Sequence, residues 1–97
     1  RSNHYHLKDQ HYMYVLSGSI DYFFKDLNSE KIEYFRVNPG STIFTPPLEI
    51  HATYFEKETK LIVSSKFPRD HETYENDTVR IPLITFENLK LIKNRFK

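Results

Sequence analysis

Residues 4 to 11 read His4-Tyr5-His6-Leu7-Lys8-Asp9-Gln10-His11, and this stretch holds three of the five histidines of the 97-residue chain. Residues two apart in a β-strand point to the same face and lie about 6.5 to 7 Å apart, so His4 and His6 can act on one ligand. The four residues after His6 suffice for a tight turn that returns His11 on the adjoining strand. The stretch therefore predicts a cluster of histidines on one face of a sheet.

The chain beyond this stretch alternates between strand-forming residues and turn residues. The predicted strands lie at residues 11–24 (two strands about a turn at Ser17-Gly18-Ser19), 31–37, 41–45, 51–55 and 60–65. Asn38-Pro39-Gly40 and Pro46-Pro47 mark further turns. Strands this short, recurring at about 8 to 12 residues, predict an all-β antiparallel sandwich or barrel rather than a βαβ sheet.

The last third of the chain departs from this pattern. Residues 68–78 are polar and predict a surface loop, while residues 79–84 predict an edge strand because Pro82 cannot donate to a ladder. The apolar residues that then recur near helical spacing are Phe86, Leu89, Ile92 and Phe96. We therefore expect a barrel domain at residues 1–84 and a short amphipathic C-terminal extension at 85–97, packed on the barrel or on a dimer partner.

The composition narrows the class of partner. Fourteen basic and thirteen acidic residues, interspersed along the chain, give a formal charge of +1, which disfavours nucleic acid and anionic membranes. There is no cysteine, so a metal ion would need histidine, carboxylate or amide ligands. No apolar run approaches the roughly 20 residues that span a bilayer, and the expected location is the cytoplasm.

A further histidine, His51, follows Pro46-Pro47 at the start of a predicted strand and offers another ligand. Imidazole suits zinc, iron, copper and nickel and argues against calcium or magnesium. The expected cofactor is therefore a divalent ion, with zinc, iron, manganese, nickel and copper as the candidates.

The spacing of these histidines resembles the cupin family. Its first motif is H-x-H, three or four residues, E, six residues, G, and the matching residues here are His4, His6, His11 and Gly18. Its second motif is G, five residues, P-x-G, two residues, H, three residues, N, and the matching positions are Gly40, Pro46, Leu48, His51 and Phe55. Every gap agrees, while His11 replaces the glutamate, Leu48 the second glycine and Phe55 the asparagine.

The resemblance implies a jelly-roll barrel, a double-stranded β-helix, with a metal ion inside its mouth. The implied ligands are His4, His6, His11 and His51, with Gln10 as the alternative to His11 because strand alternation lets only one of the two face inward. A histidine in place of the glutamate would leave the ion its full 2+ charge and make it a stronger Lewis acid.

Other residues are expected to line the site, to pack in strands or to face solvent. By alternation, the candidate walls of the site are Met13, Val15, Thr53 and Phe55. Glu49 lies two residues before His51 and is expected to be solvated, with the alternative that it reaches the ion if the turn is extended. His71 is expected to lie in the surface loop. The tyrosines are expected to pack in strands, with a role as a proton-donating acid as the alternative.

Three functions are compatible with these features. The first is an isomerase or epimerase of a sugar or nucleotide sugar, in which His51 or a tyrosine acts on a proton next to a carbonyl. The opening Arg1-x-Asn3-His4-Tyr5-His6 resembles small cupins of surface-polysaccharide sugar pathways. The alternatives are an iron- or copper-dependent dioxygenase and a non-catalytic sugar-binding module. A homodimer is expected because exposed edge strands and aromatic residues favour pairing.

Overall fold

The computed structural model describes residues 2–66, 71–81, 83–85 and 88–94. The elements in chain order are β1 (Ser2–His6), β2 (His11–Ser17), β3 (Ile20–Asp26), β4 (Glu33–Val37), β5 (Thr42–Thr45), β6 (Glu49–Tyr54), β7 (Lys60–Ser65), α1 (His71–Asn76), β8 (Thr78–Arg80) and α2 (Leu89–Asn94). A strand stands at each position predicted between residues 11 and 65. The predicted C-terminal helix is present as α2.

The strands form two antiparallel sheets. One has the order β4-β3-β6-β1-β8, and the other has the order β5-β2-β7. The all-β, jelly-roll class predicted from the sequence is therefore confirmed. Within the described residues the two sheets remain separate and do not join into a closed barrel.

A first core fills the space between the sheets. Strand β2 alternates strictly, with His11, Met13 and Val15 buried and Tyr12 and Tyr14 exposed. The buried residues that meet here from both sheets are Met13, Val15, Ile20, Tyr22, Val37 and Ile43. This inner layer fixes which residues of each strand can reach a site between the sheets.

A second core covers the outer face of the five-stranded sheet. Its buried members are Phe23, Ile50, Ala52, Leu83 and Ile92. Leu83 and Ile92 belong to the C-terminal part of the chain, so this part packs on the sheet. Strand β6 is consequently covered on both faces, and its residues from Ile50 to Thr53 are all buried.

An ion-pair network fastens α2 to the same outer face. The carboxylate of Asp21, on β3, accepts hydrogen bonds from Arg36, Lys93 and Tyr34. Burial alone would raise the pKa of Asp21, but these hydrogen bonds outweigh it and hold the pKa below its usual value. The ionised Asp21 therefore anchors the last helix to the sheet.

We expect Ile92→Ala to lower the free energy of unfolding by about 2 to 4 kcal/mol, because it leaves a cavity in the outer core. The neighbouring Leu91 is 67% exposed, so Leu91→Ala should change it by less than about 0.5 kcal/mol. Urea titration of the full chain, followed by circular dichroism, measures both values. Equal losses for the two variants would show that α2 does not pack through Ile92.

The segment predicted as a surface loop contains a helix. Residues 68–78 carry no apolar stripe, yet α1 spans His71–Asn76. A helix this short need not bury a continuous stripe, so hydrophobic periodicity could not reveal it. Residues 67–70 lie outside the described part of the chain.

The edge strand predicted from residue 79 onward is β8, which forms the edge of the five-stranded sheet beside β1. Pro82 lies outside the described residues.

No helix in the described part of the chain is long and apolar enough to cross a membrane. The division of the chain into domains at residue 84 stays a prediction.

Candidate functional site

The centre of the candidate site is a pair of histidines on neighbouring strands. His4 on β1 lies opposite His51 on β6. Opposed residues of an antiparallel pair share a face, and His6, two residues along, shares it as well. The ring centroids are 4.7 Å apart for His4 and His6 and 4.7 Å apart for His4 and His51. The register therefore brings these three predicted residues together.

His11 reaches the cluster from the opposite sheet. The prediction that it returns on the strand adjoining β1 is wrong, because β2 pairs with β5 and β7. Its ring centroid lies 5.6 Å from that of His6 and 5.4 Å from that of His51. Alternation determines the face on which a side chain lies but does not determine its sheet, so the cluster bridges the two sheets rather than lining one.

The loop between β1 and β2 is held by two carboxylates. Asp77 accepts hydrogen bonds from the backbone N–H groups of Lys8 and Asp9. Asp9 in turn accepts those of Gln10 and Lys66. His6, Asp9 and Asp77 could also be considered a ligand group, but these backbone contacts assign the two carboxylates to support of the loop.

Three of the histidines form a set that fits a metal ion. His4, His6 and His51 each offer a ring nitrogen, and these nitrogens lie within 4.8 Å of one another. All three residues are buried. His11 lies beside this triad, and Gln10 is half-buried in the loop that precedes β2.

The environment keeps His4 and His51 neutral. Burial, followed by the electrostatic effect of His51 and His6, lowers the pKa of His4 from 6.5 to about 3. Burial lowers the pKa of His51 to about 4. Neutral imidazole is the form that binds a metal ion or accepts a proton, so the site is prepared for either chemistry near pH 7.

The tautomer of His51 follows from its hydrogen bond. Its Nδ1 lies 3.1 Å from the backbone oxygen of Glu49, which can only accept, so Nδ1 carries the hydrogen and donates it. The lone pair then belongs to Nε2. That atom is buried and has no hydrogen-bond partner among the described residues. A buried nitrogen of this kind needs a ligand, a water molecule or a proton donor.

Tyr22 and Glu49 lie beside the histidine cluster. The expectation that Glu49 is solvated is wrong, because its side chain is half-buried and accepts a hydrogen bond from Tyr22. The Tyr22 hydroxyl donates to Glu49 Oε1 at 2.7 Å and accepts from Thr45 Oγ1 at 2.6 Å. The Tyr22 ring lies nearly parallel to that of His51, with centroids 6.1 Å apart. Burial raises the pKa of both Tyr22 and Glu49. The only sequence signal was the position of Glu49 two residues before His51.

The predicted wall residues lie near the cluster, within the packed interior. Met13 and Val15 belong to the inner core, Thr53 is buried, and Phe55 packs partly against that core. His71 begins α1, and its side chain lies outside the described part of the structure.

No protein-family model matches the sequence, and a search of curated proteins finds no match. Solved structures of the sugar 3,4-ketoisomerase QdtA from Thermoanaerobacterium thermosaccharolyticum are similar to the chain. The complex with TDP has a TM-score of 0.69 and 21% identity, covering 100% of this chain and 66% of that one. A double mutant with TDP has a TM-score of 0.66 and 26% identity, covering 99% and 64%.

A histidine-to-asparagine mutant of QdtA, in complex with TDP-4-keto-6-deoxyglucose, is also similar. Its TM-score is 0.69 and its identity 21%, over 82% of this chain and 55% of that one. The chain thus spans between 55% and 66% of the length of these structures. The likeness shows that the chain has a cupin-type fold shared with a sugar isomerase.

Proposed function

We propose that this chain carries the site of an isomerase that acts on a nucleotide-linked sugar. The observation that carries the proposal is the cluster of four buried histidines between the sheets, in which the Nε2 lone pair of His51 is available. The likeness to structures of a ketoisomerase that hold TDP or a TDP-sugar supports this substrate class.

Isomerisation of a keto sugar moves one proton between neighbouring carbons. A base removes the proton from the hydroxyl-bearing carbon next to the carbonyl. This proton exchanges with solvent while the base holds it, and the base then delivers a proton to the former carbonyl carbon. The hydroxyl proton moves to the former carbonyl oxygen. His51 is the base in this scheme, because the Glu49 carbonyl holds Nδ1–H and leaves Nε2 to accept the proton. The same hydrogen bond stabilises the imidazolium that forms.

His4, His6 and His51 would hold a divalent ion, with zinc, iron, manganese, nickel and copper as candidates. When bound, such an ion supplies Lewis acidity that polarises the sugar carbonyl. The Nε2 atom of His51 cannot both ligate an ion and accept a proton. A metal-loaded triad therefore leaves His11 as the remaining imidazole of the cluster.

Deuterium exchange tests the proposed isomerase activity. The full chain is incubated in D₂O with TDP-4-keto-6-deoxyglucose, and the sugar is followed by proton NMR. We expect deuterium at the carbon next to the carbonyl and formation of the isomeric keto sugar. Binding without exchange would replace the proposal with the non-catalytic sugar-binding module. Oxygen consumption with iron or copper would replace it with the dioxygenase.

Metal binding is tested on chain first dialysed against a chelator. Zinc at 100 times its dissociation constant should stabilise the fold by about 2.7 kcal/mol, measured by thermal denaturation. His4→Ala should abolish this gain, whereas His11→Ala should retain it because His11 lies beside the triad. If His11→Ala also abolishes it, His11 is a ligand as the family resemblance implies. If none of the five candidate ions stabilises the chain, the metal site is refuted.

A homodimer is part of the same proposal. The outer face of the three-stranded sheet exposes large apolar side chains, namely Tyr12, Tyr14, Leu16, Phe44 and Ile62. Monomeric proteins rarely expose a large contiguous apolar patch, and a second copy of the chain would cover this one.

A further inference from the structure

Strand β1 contains an irregularity at Asn3, immediately before the histidine pair. Ser2 lies opposite Ala52 and His4 lies opposite His51. Between these two pairs β1 advances by two residues and β6 by one. This is the pattern of a β-bulge, and the extra residue, Asn3, has a φ of 54°. Asparagine and aspartate tolerate this left-handed conformation better than most residues that carry a side chain, and glycine is the most permissive.

The bulge decides which face His4 occupies. In a regular ladder that starts from Ser2 and Ala52, Asn3 would lie opposite His51, and His4 would lie opposite Ile50. Ile50 belongs to the outer core, on the other face of the sheet from His51. The extra residue therefore shifts by one position the phase of β1, that is, the alternation of its side chains between the two faces of the sheet. As a result, His4 faces the layer between the sheets.

The side chain of Asn3 is held from the C-terminal part of the chain. Its Oδ1 accepts hydrogen bonds from the backbone N–H groups of Leu83 at 2.9 Å and Ile84 at 2.7 Å. The backbone oxygen of Asn3 accepts a hydrogen bond from the backbone N–H of Ile81 at 2.9 Å. Glycine could adopt the same backbone conformation but would lack Oδ1, so this position benefits from asparagine in particular.

We infer that Asn3 is a positioning residue for the histidine site. Its left-handed backbone sets the phase that places His4 beside His51, and its side chain couples that phase to the segment at residues 83–84. The inference rests on the proposed function only in that the site being positioned is the histidine cluster. Its readout requires neither turnover nor a bound metal, so its failure is distinguishable from failure of the proposed function.

The test compares three substitutions at residue 3 by NMR of the metal-free chain. The His4 and His51 rings, 4.7 Å apart, should give a nuclear Overhauser effect (NOE) between their ring protons. Asn3→Ala should remove this signal because it loses both the left-handed preference and Oδ1. Asn3→Asp keeps both features and should retain the signal. Asn3→Gly keeps only the backbone freedom and should also retain it, at a lower urea midpoint.

Leu83→Ala is the matched control, because it weakens the same segment without altering the phase of β1. It should lower the urea midpoint and keep the NOE between His4 and His51. If Asn3→Ala keeps the signal, or if Leu83→Ala loses it to the same extent, the inference is overturned. If Asn3→Ala fails to fold, the glycine variant decides, since loss of its signal in a folded chain also overturns the inference.

Discussion

His51→Asn is expected to lower kcat for the proposed isomerisation by about 100- to 10,000-fold, the range associated with loss of a general base. The asparagine amide can still donate to the backbone oxygen of Glu49, as Nδ1 of His51 does at 3.1 Å. It has no basic nitrogen at the position of Nε2. The variant should therefore fold normally and lose proton transfer, which the deuterium exchange into the keto sugar measures directly.

His11→Asn is the matched control for this experiment, because it makes the same replacement within the same buried cluster. His11 lies beside the triad, with its ring centroid 5.4 Å from that of His51. In the metal-free chain we expect this variant to keep at least about a tenth of the activity. A large loss in His11→Asn together with a small loss in His51→Asn would transfer the role of base to His11.

Acidification is expected to destabilise the metal-free chain by about 3 to 4 kcal/mol between pH 7.5 and pH 5 through His4 and His51 alone. Their pKa values are lowered to about 3 and about 4 in the folded chain, while the unfolded chain titrates near 6.5. Below pH 6.5 the unfolded state therefore binds protons that the folded state cannot. Each group costs up to about 1.4 kcal/mol per pH unit until its folded pKa is reached.

Urea titrations at a series of pH values, with a chelator present, measure this dependence. His51→Asn removes one of the two groups and should remove about half of the loss on acidification. A wild-type chain whose stability does not fall between pH 7.5 and pH 5 would show that these histidines are not buried in the neutral form.

The sequence by itself determined the local elements and their turns. Gly18 illustrates this, because its φ of 82° favours glycine at the turn between β2 and β3. Alternation along β2 likewise indicated that His11, Met13 and Val15 share one buried face. These features depend on residues close together in the chain, so a pattern in the sequence is enough to reveal them.

The histidine cluster was only partly determined in this way. The family spacing selected His4, His6, His11 and His51, and the structure gathers all four between the sheets. The tertiary structure decided that His11 comes from the opposite sheet and lies beside the triad. It also brought Tyr22 and Glu49 to the site and introduced the bulge at Asn3. These arrangements depend on which distant strands pair and in what register, and alternation within one strand carries no information about that choice.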